Sequence, residues 1–399
     1  MRLVPADGSR LELVGVACRD LARARAAGIP ADLLTDAPAH LVASPDVDVV
    51  VELMGGDEPA RTLIAAALAA GKPVVTANKH VIAHHGPELE AIARHNDVAL
   101  RFEAAVAGGI PVLSPLASDL AANDVSRIRG IVNGTTNYIL TAMAQEGRPY
   151  DDVLADAQQL GYAEADPSGD VEGDDAVNKL VIMARLGFGA WLDPGAIVRC
   201  PPTVRGIGKP GITGVTAREI AGASALGLTL KLLATAGLDG EAVACMVLPT
   251  AVPSDSPFGS TSGVTNQVEI QALPLGTVRL VGPGAGGAAT GSAVLGDLLV
   301  IARGGTSTWA GLPPADGPTD PAEQANTSPL DAARRWYAFL PAIGSDGQAL
   351  STARGGAASI QVGDGIAIRT ESVTLAEARA ALARIVPDGV DITLYPIDD

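Results

Sequence analysis

Along the first hundred residues, short apolar runs alternate with longer segments whose apolar positions recur at helical spacing. The runs LELVGVAC (11–18), VDVVVELM (47–54), KPVVTAN (72–78) and VALRFEAAV (98–106) are predicted as strands. They are apolar almost throughout, the pattern of strands covered on both faces rather than half-exposed ones. Between them, DLARARAAG, DEPARTLIAAALAAG and HVIAHHGPELEAIARHN read as helices. Strands alternating with helices predict an α/β unit with a doubly wound parallel sheet, whose ligand lies at the carboxyl ends of the strands.

From about residue 108 the pattern changes. Helices are predicted around 111–122, 135–146, 150–160 and 174–187, and strands at GEAVACMVLPT (240–250) and TVRLVG (277–282), which makes 108–282 a second, α+β domain. GSAVLGDLLVIAR (291–303) is helical. A stretch rich in Pro, Gly, Asp and Thr predicts a linker over 311–330. In 331–399, WYAFLPAI, ASIQVGDGIAIRTE, TLAEARAALARI and VDITLYPI predict strand, hairpin, helix and strand. No internal repeat is present.

Composition narrows the function. The formal net charge is −17, which sets the chain against nucleic acid and anionic membrane surfaces. No apolar run reaches the roughly eighteen residues of a membrane span. The opening MRLVPADGSR lacks the apolar core of a signal peptide. Cys18, Cys200 and Cys245 are too far apart for a disulfide framework or a zinc spacing, and they predict a reducing, cytoplasmic setting.

Three strand ends carry candidate nucleotide chemistry. Gly55-Gly56 closes the run 47–54, where backbone can approach a ligand closely. Thr76-Ala77-Asn78-Lys79 puts a lysine at the carboxyl edge of the next strand. Cys18-Arg19-Asp20 ends the first; Arg19 there leans toward the 2′-phosphate of NADP, whereas an acid holds the ribose of NAD. The G-x-G-x-x-G of a dinucleotide loop does not precede LELVGVACRD. Its one literal match, Gly282-Pro-Gly284-Ala-Gly286-Gly287, lacks the acidic strand end that should follow. It reads instead as a turn that brings a helix back onto the first domain, beside a cofactor.

The segment GYAEADPSGDVEGDDAVNKL (161–180) gathers six carboxylates around one of the chain's five lysines. Gly173-Asp174-Asp175 starts a helix, and Asp175 and Lys179, at i and i+4, share a face. Tyr162, Glu164 and Asp170 precede them on a loop. The residues alone leave open an exposed acidic loop with a surface ion pair, a divalent-metal site from Glu164, Asp166 and Asp170, or a lysine–carboxylate active site. His80 and His84, also at i and i+4, read as an exposed helix face rather than a metal pair.

Taken together, VVELMGG (50–56), AGKPVVTANK (70–79), FEAAVAGGIPVL (102–113), GIVNGTTNYIL (130–140), the 161–180 segment and GPGAGGAATGSAVLGDL (282–298) resemble homoserine dehydrogenases over most of 11–310. The resemblance implies a Rossmann-like nucleotide domain over 1–107, completed by about 283–310. It further implies a substrate-binding and dimerisation domain over 108–282 and an ACT-like C-terminal domain over 331–399. It implies interconversion of L-homoserine and L-aspartate 4-semialdehyde with NADP or NAD, on the route to threonine and methionine, in a homodimer or larger homo-oligomer.

By position, the resemblance implies that Lys179 transfers the proton and that Lys79 reaches cofactor and substrate. Glu164 would bind the substrate amino group, and Asp170 and Asp175 would complete the pocket. Gly161 and Gly286 would touch the cofactor by their backbone. Glu103 with the carbonyls of Val106, Gly108 and Ile110 would hold a monovalent cation, usually sodium. A lysine, with a reference pKa of about 10.4, begins as an acid and must first lose its proton to oxidise an alcohol.

The resemblance also departs from the pattern. Members of that family begin with a further strand and the glycine loop, and this chain opens where their second strand lies. Either the natural chain extends upstream, the favoured expectation, or cofactor binds weakly. SDGQALSTARGG stands where the ACT-type unit has its first helix, so that unit is expected either to sense an amino acid or simply to pack and dimerise. The rival to catalysis is a degenerate, non-catalytic amino-acid-binding protein; a dehydrogenase for another small amino acid is a third reading.

Overall fold

The structure is a computed structural model, and it describes residues 11–240, 242–309, 311–315, 329–341 and 358–398. The first domain runs β1 (Val16–Ala17), α1 (Leu21–Ala26), β2 (Leu34–Thr35), α2 (Pro38–Ala43), β3 (Val50–Glu52), α3 (Ala60–Ala69), β4 (Val74–Thr76), α4 (Lys79–His95) and β5 (Leu100–Arg101). Strands β3, β4 and β5 pair in parallel, with Val50 opposite Val74 and Val74 opposite Leu100. A separate parallel pair joins β1 to β2. Among the described residues no strand links β1 to β3, so the parallel architecture stands in two pieces. The central β4 is wholly buried, as its unbroken apolar run requires. Leu63, Ile64 and Leu68 of α3 and Val81, Ile82 and Leu89 of α4 are buried in the same core.

The second domain contains β6 (Asp124–Ile131), α5 (Gly134–Glu146), α6 (Tyr150–Gln159), α7 (Ser168–Val171), α8 (Asp174–Phe188), α9 (Ala217–Ala225), β7 (Leu228–Asp239), β8 (Ala242–Pro253), α10 (Pro257–Ser260), β9 (Thr265–Leu273) and β10 (Gly276–Pro283). Its sheet is antiparallel, in the order β10-β9-β6-β7-β8. Helix α8 is buried from Asp175 through Leu186 and lies along α4 of the first domain. After β10, α11 (Gly287–Ala302) returns to the parallel sheet, where Val294 packs with Val75 and Ala104. Residues 307–308 then run beside β5: Thr308 donates its N–H to the Leu100 carbonyl, and the Leu100 and Phe102 N–H groups donate to the Ser307 and Thr308 hydroxyls.

The last unit comprises β11 (Trp336–Leu340), β12 (Ala358–Val362), β13 (Gly365–Arg369), α12 (Leu375–Ala383) and β14 (Tyr395–Pro396), with an antiparallel sheet ordered β12-β13-β11-β14. It shares a core with the second domain: Trp336, Leu382 and Leu394 pack with Met246 and Leu248 of β8. Residues 316–328 of the predicted linker and the SDGQALSTARGG segment lie outside the described residues. No helix among the described residues is long and apolar enough to cross a membrane.

Candidate active site

Two helix starts bring the chemistry together. At the carboxyl edge of β4, Asn78 caps α4: its side-chain oxygen accepts the Val81 N–H at 3.1 Å, and its amide donates to the Gly56 carbonyl at 2.8 Å. The cap ties the start of α4 to the glycine turn after β3, where Gly55 and Gly56 have φ of 71° and 72°, a conformation open to glycine. Lys79 therefore begins α4 on the rim of the sheet. From the other domain, Asp175 lies in the first turn of α8 and Lys179 one turn on.

One buried carboxylate joins the two lysines. Lys179 Nζ donates to Asp175 Oδ2 at 2.7 Å and to the Val132 carbonyl at 2.7 Å. Lys79 Nζ lies 3.0 Å from Asp175 Oδ1. Asn133, the residue after Val132, caps α5 by accepting the Thr136 N–H at 2.9 Å. Both of its amide hydrogens are used: Nδ2 is 2.7 Å from Asp170 Oδ1 and 2.8 Å from Asp175 Oδ2.

The charges divide accordingly. Burial by itself would raise the Asp175 carboxyl, but Lys179, Lys79 and the Asn133 amide overcome it and bring the pKa to about 2. Asp170 lies higher than an ordinary aspartate because burial dominates there, with Asn133 and Lys179 pulling the other way. The Lys79 ammonium is favoured above its ordinary value, chiefly by Asp175 and with smaller help from Asp170 and Glu164. The acidic segment is thus no exposed loop with a surface ion pair: its central pair is buried and shared between domains.

The remaining predicted residues fall at varying distances from this centre. Glu164 is exposed at the opening, within electrostatic reach of Lys79. Tyr162 packs at a tilt against Tyr138 with ring centroids 4.9 Å apart, and its carbonyl accepts the Thr135 hydroxyl at 2.7 Å. Gly161, with φ of 76°, follows α6, and Gly286, with φ of 109°, caps α11; a Cβ at either would meet nothing within 4 Å. Arg19 is exposed beyond β1, beside Asp20, whose carboxylate is engaged in capping α1 through the Arg23 N–H.

Thr76 ends β4 at the rim. It is fully buried, and its hydroxyl donates to Glu52 at 2.6 Å and accepts the Asn78 N–H at 2.9 Å. Its side chain braces the carboxyl end of β4. Glu103 is similarly engaged: its carboxylate accepts the N–H groups of Val112, Leu113 and Ser114 and the Ser114 hydroxyl. The nearby carbonyls differ. Val106, Gly108 and Ile110 are buried, and no described residue donates a hydrogen bond to their oxygens.

Among the described residues no group of three His, Cys, Asp or Glu side chains is placed to hold a metal, which removes the divalent site at Glu164, Asp166 and Asp170. His80 and His84 stack face to face at 4.2 Å. Sequence reasoning missed Asn133, Val132 and Thr135. The signal available was an Asn directly before Gly-Thr-Thr at a helix start, the mark of an N-cap.

A parallel sheet edge carrying one lysine, closed by a second domain that presents a lysine–carboxylate pair, is a two-domain α/β arrangement of the kind that takes a ligand at the carboxyl ends of its strands. The comparisons agree. Residues 1–103 match the family model described as the NAD-binding domain of homoserine dehydrogenase, and residues 111–299 match that of homoserine dehydrogenase. A homoserine dehydrogenase of Synechocystis sp. is 46% identical over 295 residues, 73% of this chain and 66% of that protein. The crystal structure of a homoserine dehydrogenase from Thiobacillus denitrificans superposes with a TM-score of 0.82 at 34% identity, covering 97% of this chain and 90% of that one. A hyperthermophilic archaeal homoserine dehydrogenase, solved in complex with NADPH, gives a TM-score of 0.56 at 32% identity over 66% of this chain and 74% of its own. The chain belongs to the homoserine dehydrogenase family. It spans just under two thirds of the length of the Synechocystis relative.

Proposed function

We propose that the protein interconverts L-homoserine and L-aspartate 4-semialdehyde with NADP or NAD. The observation that carries this reading is the shared Asp175, which holds Lys79 on one oxygen and Lys179 on the other where the two domains meet. The substrate is a zwitterion. Glu164 and Asp170 suit its ammonium group. The start of α5 suits its carboxylate, because a helix N-terminus presents unpaired N–H groups and a partial positive charge.

The residues fit the nicotinamide end of a dinucleotide. Gly55, Gly56 and Gly286 leave open space at a rim that also carries Lys79, so a flat ring and its ribose can approach backbone there. Bound NAD(P) would supply the hydride acceptor, or in reverse the donor. The chain's own work is to orient the substrate and move one proton at its oxygen. Val132 and Asp175 fix two directions of the Lys179 ammonium, and the third is left for that oxygen. During aldehyde reduction Lys179 donates; during alcohol oxidation it must first be neutral. Arg19, with its neighbour Asp20 tied up in a cap, favours the 2′-phosphate of NADP.

The reading extends to a monovalent cation, probed best by sodium, at the unengaged carbonyls of Val106, Gly108 and Ile110. Glu103 contributes negative charge while bracing the 112–114 turn. It also extends to a cytoplasmic homo-oligomer and to an ACT-like role for the last unit, whose β12-β13-β11-β14 order supports that comparison. The decisive experiment follows reduced nicotinamide by its near-ultraviolet absorbance, with L-homoserine and NADP, then NAD. Homoserine-dependent reduction is expected. Its absence, with homoserine still bound, would favour a non-catalytic amino-acid-binding protein.

A further inference from the structure

Asp175 is buried and Asp170 half-buried, and their carboxylates are close enough to share the hydrogens of a single amide. Like charges at that range cannot both be ionised without compensation. Asp175 has two lysines to neutralise it. Asp170 makes no ion pair among the described residues, and the side-chain donor that reaches it is the Asn133 amide, at 2.7 Å. Asn133 is 5% exposed, and both of its amide hydrogens are committed, one to each aspartate, while its oxygen accepts the Thr136 N–H. It is also the only side chain among the described residues that bonds both carboxylates.

We propose that Asn133 is a positioning residue that spaces the two aspartates and keeps Asp170 available as the anion for the substrate ammonium. The inference rests on the dehydrogenase reading for its kinetic consequences, but not for its electrostatic ones. Its side-chain hydrogens are committed to the two carboxylates, so it acts through them. Its place at the start of α5 makes the arrangement rigid, because the atom that caps the helix and the atom that holds the aspartates belong to one planar amide. The neighbouring carbonyl, Val132, accepts from Lys179. The same two-residue corner therefore sets the proton-transferring lysine and the substrate-facing acid relative to each other.

Asn133→Ser separates this role from a merely structural one. Serine caps a helix about as well as asparagine, so the start of α5 is kept. A hydroxyl has one hydrogen and cannot bond two carboxylates at once. The groups facing Asp170 are Asn133 and Thr135 of the α5 start, Asp175 and Lys179 of α8, Lys79 of α4 and Glu164 of the preceding loop; only the first changes. Carbon-13 NMR titration of the labelled aspartates should show the Asp170 midpoint moving upward in the variant, since a donor to its anion is lost. An unmoved midpoint would overturn the proposal whether or not the protein turns over homoserine.

Kinetics provide the second arm. N133S should lower kcat/KM for homoserine by roughly ten- to a hundredfold, the scale of a lost hydrogen bond to a charged group. The acid limb of its pH profile should move upward, with the thermal midpoint near that of the wild type. A variant with a lowered thermal midpoint but an unchanged kcat/KM and pH profile would make Asn133 a helix cap and nothing more. If neither the variant nor the wild type turns over homoserine, the titration still decides this proposal and the catalytic reading fails separately.

Discussion

A lysine serves proton transfer only if its nitrogen is held while one hydrogen stays available. Lys179 meets that condition through a carboxylate and a carbonyl, both at 2.7 Å. Replacing it by Ala should lower kcat by roughly a hundredfold or more, the range for a lost acid–base group. Lys179→Arg, which keeps charge but does not give up its proton, should be nearly as impaired; substantial turnover in either would remove Lys179 from the chemistry. Glu164→Ala should chiefly raise KM for homoserine, and an unchanged KM would reassign it. The Asp175 shift has a definite sign for stability. An aspartate of about 3.9 unfolded and about 2 folded contributes fully above the first value and loses that contribution as pH falls through the second. Thermal midpoints should therefore drop steeply between about pH 4 and pH 2; a flat profile there would contradict the buried pairing. This pair was legible because its spacing is local. Asn133 was not, because the aspartates it joins lie 37 and 42 residues away.

Helices with a regular apolar period were readable, and α4 and α8 emerged close to their predicted bounds. What joins them was not. Glu90 of α4 is buried and receives Arg185 of α8 in bidentate fashion, at 2.7 and 3.0 Å, together with the Trp191 indole at 2.8 Å and Arg94 at 2.9 Å. The carboxyl is held below its usual range: burial opposes this, and Arg185 and Trp191 outweigh it. Since Lys79 opens α4 and Lys179 lies in α8, this clamp fixes the register of the two helices that carry the lysines. Glu90→Ala would strand the fully buried Arg185, a change worth about 3–5 kcal/mol in comparable buried pairs. Carbonyls of Gly189 and Pro313 still accept from Arg185, so the low end applies. Urea unfolding should show the loss, and an unchanged midpoint would contradict the clamp. Strands β6 and β7 escaped prediction for two physical reasons. The β7 run is apolar on both faces, where strand and helix look alike. In β6, Arg127 and Arg129 occupy positions that would ordinarily signal solvent, yet they are paired with Asp398, and Arg129 also with Glu269.

That last pairing governs how the molecule behaves as a whole. The apolar pattern of 331–399 predicted a separate small unit, and a hydrophobic pattern says that a face is buried without saying against what. The face is buried largely against the second domain. Tyr337 donates its hydroxyl to the Glu219 carbonyl, Arg379 donates to the carbonyls of Thr203 and Gly206, and Ile397 bridges Ala251 of β8. Asp398 then closes the contact, taking Arg127 at 2.9 Å and Arg129 at 2.8 Å while its N–H donates to the Ala251 carbonyl. A unit docked through a shared core cannot leave without exposing Met246 and Leu248, so the last unit and the antiparallel sheet should unfold in one transition. Calorimetry giving two well-separated transitions would contradict this. Asp398→Ala tests the clasp itself. Arg129 keeps Glu269 but loses one of its two anions, and Arg127 loses its partner, so the loss should be about 1–3 kcal/mol. It should lower the single transition as a unit; a variant that split it would show that the clasp, and not the shared core, couples the two parts.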